Sequence, residues 1–109
     1  MSKTYKYTLQ DDLILHLPEL AGVFFRNKFC VIRDCILIIK KGYSWDGCTF
    51  AIDTKETYIA SCIHDLLYQF RIVSRKLADA IFYRLLQIYT FKYAKIYYIG
   101  VRWFGWIKY

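Results

Sequence analysis

His64, Tyr68 and Asp79 are the residues whose types and spacing could do chemistry together. If a helix carrying His64 ends near Phe70 and a second begins near Arg75, the short connection makes the two helices antiparallel. His64 then lies roughly 9 Å before the turn and Asp79 about 6–8 Å after it, so their side chains meet at similar height. Tyr68 follows His64 by one turn on the same face, placed to hydrogen-bond the same carboxylate. A carboxylate on one imidazole nitrogen fixes the tautomer and leaves the other nitrogen to take a proton from water or a hydroxyl. The same three residues also read as a satisfied polar network that fixes the helix pair without any turnover. Asp65 points about 100° away around the helix and is open to another partner, Arg75 being one candidate.

The elements that must position these residues can be read from period and punctuation. Ile59, Ile63, Leu66, Leu67 and Phe70 recur at three- and four-residue spacing, which predicts a helix from about Thr54 to Phe70. Ser74 is an expected N-cap for a second helix, with Leu77, Ile81, Leu85 and Ile88 as its inward stripe. A third helix is expected from about Tyr93, with Tyr97, Gly100, Val101 and Phe104 facing inward. Before these, residues 5–15 suggest a strand that Leu17-Pro18-Glu19 interrupts, Pro18 being the only proline. The apolar run around Arg33-Asp34 predicts a hairpin of Phe29–Ile32 and Cys35–Lys40, turning at Arg33-Asp34, with Cys35 opposite Ile32 and Cys30 opposite Leu37. Gly42 to Phe50 reads as a loop. Strands followed by helices imply an α+β fold: an antiparallel hairpin or small sheet, then two or three packed helices. At 109 residues the expectation is a single domain over 1–109, β-rich with its loop to residue 50 and helical over 54–109.

Twenty-two aromatic residues (eleven Tyr, eight Phe, three Trp) exclude a disordered chain. The net charge of +7 is placed unevenly. Residues 1–70 balance eight Lys and Arg against eight Asp and Glu, whereas residues 71–109 set eight Lys and Arg against Asp79 alone. Such a surface suits an anionic membrane, an acidic protein or nucleic acid, or is simply a solvated face over an aromatic core. Nucleic acid is the weakest of these partners, because no recognition motif accompanies the charge. Cys30, Cys35, Cys48 and Cys62 lack metal-ligand spacing and read as reduced, mostly buried thiols. His16 reads as structural or exposed, and Asp11-Asp12 as a solvated turn.

Four stretches in order resemble one family: Gly42-Tyr43-Ser44-Trp45-Asp46-Gly47-Cys48-Thr49, His64-Asp65-Leu66-Leu67-Tyr68, Ser74-Arg75-Lys76-Leu77-Ala78-Asp79-Ala80-Ile81-Phe82, and Tyr97-Tyr98-Ile99-Gly100-Val101-Arg102-Trp103-Phe104-Gly105. It is the group of small phage and prophage proteins called domain of unknown function 1353, and the resemblance spans about residues 40–105. A second resemblance carries chemistry. Trp45-Asp46-Gly47-Cys48, His64-Asp65-x-x-Tyr68 and Asp79-Ala80-Ile81-Phe82-Tyr83 look like the core of bacterial and fungal phospholipases A2. That likeness implies His64 as the base for water, Asp79 as its orienting carboxylate and Tyr68 as a hydrogen-bond donor to it. It also implies calcium, held by Asp65, Asp46 and the carbonyl of Gly47, and hydrolysis of a lipid ester. Ser61 stands where those enzymes have a cysteine three residues before the histidine.

Two functions follow as expectations. One is a calcium-dependent hydrolase of lipid esters. The other is a non-catalytic virion component or host-factor-binding module on the same scaffold. No apolar run approaches the ~18 residues of a membrane span and the N-terminus shows no signal core, so host cytoplasm or virion is the expected location.

Overall fold

A strand with one buried face must alternate, and residues 30–39 do. Cys30 and Ile32 on one strand, and Leu37 and Ile39 on the next, are buried, while the residues between them are half-buried or exposed. The computed structural model describes residues 7–46, 55–88 and 92–108, leaving out the side chains of 55–56 and 104–108. It has antiparallel sheets followed by three helices, an α+β fold. The chain divides into two compact units, Met1–Trp45 and Asp46–Tyr109.

In the first unit a four-stranded sheet has the order β2-β5-β4-β3, formed by Leu13–His16, Ile36–Ile39, Cys30–Arg33 and Phe25–Arg26. A separate pair joins β1 (Tyr7–Thr8) to β6 (Ser44–Trp45). The expected strand over 5–15 is therefore two strands, parted by a bend at Gln10-Asp11. Asp12 holds the far side of that bend, its Oδ1 accepting the Lys41 N–H at 2.7 Å. The expected loop from Gly42 likewise contains β6, whose Trp45 lies opposite Tyr7 with ring centroids 5.5 Å apart. The rest of that loop, with Gly47 and Cys48, falls outside the described residues. His16 is exposed.

The central hairpin turns one residue later than the sequence suggests. Its turn is Asp34-Cys35, both at positive φ (52° and 63°), and Ile32 pairs with Leu37 and Cys30 with Ile39. A two-residue turn of this hand needs positive φ at both positions, which Asp tolerates and Arg33 would have to adopt in the earlier register. With Arg33 kept in the strand opposite Ile36, the ladder extends to Lys40 N–H on the Phe29 carbonyl at 2.8 Å. Moving the register by two residues leaves the same side chains on the buried face, because strand periodicity is two. Cys30, Cys35 and Cys62 are free thiols, and the first and last are buried.

In the second unit, α1 (Lys55–Gln69), α2 (Arg75–Ile88) and α3 (Ala94–Lys108) follow one another with short connections. The end of α1 is sharply defined. Arg71 takes the left-handed conformation (φ 49°), Ile72 N–H reaches the Leu67 carbonyl at 3.1 Å, and Arg71 N–H reaches that of Tyr68 at 3.2 Å. This is the paired closure that normally places glycine where Arg71 stands. Three residues later Ser74 starts α2, its Oγ accepting the Leu77 N–H at 3.1 Å.

The inward face of α2 differs from the expected stripe. Ala78, Asp79, Ile81, Phe82, Leu85 and Leu86 are buried, Leu77 is half-buried and Ile88 is 54% exposed. The line through Leu77 and Ile88 lies about 100° around the helix from the centre of the buried face. That rotation turns Asp79 inward. On α3, Tyr97 and Val101 are buried as expected and Gly100 is half-buried, while the Phe104 side chain lies outside the described residues.

Candidate functional site

The α1–α2 connection does what a site across two helices requires. The left-handed closure at Arg71 and the Ser74 cap reverse the chain within five residues, and His64 and Asp79 arrive at the same level. Around His64, Ala60, Ile63 and Leu67 are buried on α1. The imidazole lies against Tyr68 (ring centroids 4.2 Å) and Phe82 (4.9 Å), so its plane is held from both helices.

Asp79 is completely buried and takes three donors. His64 Nε2 lies 2.7 Å from Oδ1, the Tyr68 hydroxyl donates to the same oxygen at 2.6 Å, and Arg102 Nη1 donates to Oδ2 at 3.1 Å. Burial by itself would raise the Asp79 carboxyl. The hydrogen bonds from His64 and Tyr68, and then that of Arg102, outweigh it and hold the group below the ordinary carboxylate range. The Tyr68 phenol moves the other way: burial, and then the carboxylate it donates to, push it well up, with Arg75 and Arg102 only partly opposing.

An ionised Asp79 has no proton to give, so the shared proton sits on His64 Nε2, and in the neutral ring the lone pair is then on Nδ1. Nδ1 has no hydrogen-bond partner among the described residues, yet none of their buried side-chain nitrogens or oxygens goes unpaired. Nδ1 therefore reaches solvent, through the 10% of the His64 side chain that remains exposed. A ring whose orientation and tautomer are fixed, with one open basic nitrogen, can accept a proton from water.

Arg102 stands outside the set read from spacing, although it lies in the fourth family-like stretch and among the basic residues of the last third. A signal was available. A carboxylate has two oxygens, and with His64 and Tyr68 both directed at one, the other needed a donor. Arg75, a candidate partner for Asp65, donates instead through its Nη1 to the main-chain carbonyl of Arg102 at 2.7 Å. Arg75 and Asp79, one turn apart on α2, thus grip Arg102 by its backbone and by its side chain.

Asp65 follows His64 on α1 and is half-buried, Asp46 directly follows β6 and is half-buried, and both make interactions of their own. Gly47 lies outside the described residues. Among the described residues no group of three or more His, Cys, Asp or Glu side chains could hold a metal ion.

The family described as Protein of unknown function (DUF1353) matches residues 26–101, more than half of the chain. That match takes in Arg75 and Asp79 and ends one residue before Arg102. No curated protein and no solved structure matches the chain.

Proposed function

The chain belongs to the DUF1353 family, and on that footing we propose that His64 is a general base that activates water for hydrolysis of a lipid ester. The observation that carries this reading is the 2.7 Å contact of His64 Nε2 with the buried Asp79 carboxylate, which leaves Nδ1 basic and open to solvent. Water gives its proton to Nδ1 as its oxygen bonds to the ester carbonyl carbon. The imidazolium then returns that proton to the departing alkoxide, and the products are a carboxylic acid and an alcohol. Asp79 fixes the ring, Tyr68 fixes Asp79, and Arg102 balances the carboxylate charge. The lipid substrate class rests on the phospholipase A2 likeness of the Trp45-Asp46-Gly47, His64-Asp65 and Asp79 segments.

Calcium belongs to the same proposal. Asp65, Asp46 and the Gly47 carbonyl are hard oxygen donors of the kind this ion takes, with main-chain carbonyls and water completing its shell. When bound it would polarise the ester carbonyl as a Lewis acid. The test is fatty-acid release from phospholipid vesicles, with and without calcium, by wild type and His64→Ala. A general base contributes about 10²–10⁴-fold, so the variant should lose at least a hundredfold. Wild type without release, at any calcium concentration, sinks the proposal.

A second reading, a non-catalytic virion component or host-factor-binding module, is favoured by one observation. Asp79 joins α1, α2 and α3 through three donors, which is what a structural clasp needs irrespective of chemistry. It expects no ester hydrolysis, and a lowered melting temperature on replacing His64.

A further inference from the structure

Helix α3 is apolar on two opposite sides. Ala94, Tyr97 and Val101 are buried, whereas Ile96, Ile99 and Trp103 are 64%, 48% and 72% exposed. At 100° per residue the exposed three fall within about 60° of one another, and the buried three are centred on the opposite side. A helix that covers one core needs only one apolar face, and a second marks a further surface to be covered. Scattered exposed apolar residues are ordinary, but three in line over two turns are a patch.

The exposed charge along this stretch of the chain is of one sign. Lys92 and Lys95 are exposed beside it. From Arg71 to the end of the sequence the only acid is Asp79, which is wholly buried and paired with Arg102, so no carboxylate is exposed in the described part of this stretch.

We propose that the Ile96-Ile99-Trp103 face of α3 docks on the surface of an anionic bilayer, with Lys92 and Lys95 on the headgroup phosphates. A bilayer boundary takes both chemistries at once: apolar side chains enter below the headgroups, Trp suits the boundary itself, and Lys reaches phosphate over its aliphatic stem. A second copy of the chain would set a net +7 against +7. Nucleic acid would neutralise the lysines but leave the isoleucines and Trp103 in water. No helix among the described residues is long and apolar enough to cross a membrane, so the contact is with its surface. This inference goes beyond the hydrolytic reading and stands without it.

The test is sedimentation of the full chain with vesicles of phosphatidylcholine alone or doped with phosphatidylglycerol. The chain should pellet with the doped vesicles only, less so as salt rises, because screening shortens the reach of each charge. Lys92→Gln and Lys95→Gln should each weaken partitioning about fivefold, the factor expected for one basic residue near such a surface. Ile99→Asp and Trp103→Ala should abolish pelleting with melting temperatures unchanged. His64→Ala should bind like wild type, which keeps this test separate from that of hydrolysis. Equal binding to neutral vesicles, no binding, or binding that survives Ile99→Asp overturns the proposal. A dimer in sedimentation velocity that Ile99→Asp dissolves would overturn it too, assigning the stripe to self-association.

Discussion

Asp79→Asn isolates charge from shape at the centre of the second unit. The wild-type carboxylate is fully buried with donors at 2.7 Å from His64, 2.6 Å from Tyr68 and 3.1 Å from Arg102. Asparagine keeps the outline but offers one acceptor oxygen. With that oxygen towards His64 and Tyr68, both bonds survive in neutral form, each weaker by about 1 kcal/mol. Its amide nitrogen then faces Arg102 Nη1, donor against donor. The Arg102 side chain is 32% exposed, so it can turn to water, and that loss is discounted to about 1 kcal/mol. The sum is about 3 kcal/mol, or a fall in melting temperature of roughly 12–20 °C for a domain of this size. Thermal and denaturant unfolding followed by circular dichroism measure it. Tyr68→Phe alone should cost ~1–2 kcal/mol, and less in the Asp79→Asn background, since both changes weaken one bond. A loss under about 0.5 kcal/mol for Asp79→Asn, or strict additivity with Tyr68→Phe, would refute the view that the charge holds this network.

The same network makes stability depend on acid. Asp79 is held below its ordinary value of 3.8, so the unfolded chain binds more protons there; the stability it gives is complete above that value and is lost as pH falls through the folded one. Melting curves of wild type should therefore drop below about pH 4 more steeply than those of Asp79→Asn. Among the described residues Asp34, Cys35 and Arg71 sit in the left-handed region where glycine is at ease; Asp tolerates it, whereas Cys35→Gly and Arg71→Gly should each stabilise by ~1 kcal/mol in denaturant titrations. Burial pushes the Cys30 thiol up to about 11 despite Lys40 nearby, and burial, then Asp65, pushes Cys62 higher still. Iodoacetamide at mildly alkaline pH should thus label half-buried Cys35 before Cys30 or Cys62, as read peptide by peptide in a mass spectrometer.

What could be read from the residues was whatever rests on local periodicity. The first helix begins and ends, and the other two begin, within a residue or so of expectation, because Ser74 has a capping side chain and the apolar spacing of 59–70 has a period of its own. The hairpin was legible as a hairpin but not in register. Its turn is set by which residues accept positive φ, and Asp34-Cys35 carries no glycine to announce it. Strands β1 and β6, two residues each, pair across 36 positions of sequence and leave almost no local pattern. The inward face of α2 departs from its expected stripe for a related reason: Leu77 and Ile88 look like core by type, while Ala78 and a buried aspartate do not. Burial is decided by the neighbouring helix, and so is invisible to a single stripe.

His64, Tyr68 and Asp79 were legible together because all lie within fifteen residues on two helices joined by a short turn. Arg102 lies 23 residues from Asp79, and nothing local directs it there. Its place on α3 explains how one side chain serves two requirements. By helical angle it falls between the buried face of Ala94, Tyr97 and Val101 and the exposed face of Ile96, Ile99 and Trp103. From that flank it can reach inward to Asp79 while part of its guanidinium stays hydrated, which lowers the cost of bringing a charge to a buried carboxylate. The carbonyl of the same residue is held by Arg75, so the grip on α3 is fixed in rotation as well as position. The consequence is that the residue completing the His64–Asp79 pair also orients α3. An Arg102→Gln change should therefore disturb the imidazole and the outward apolar stripe together, whereas Tyr68→Phe should reach only the first.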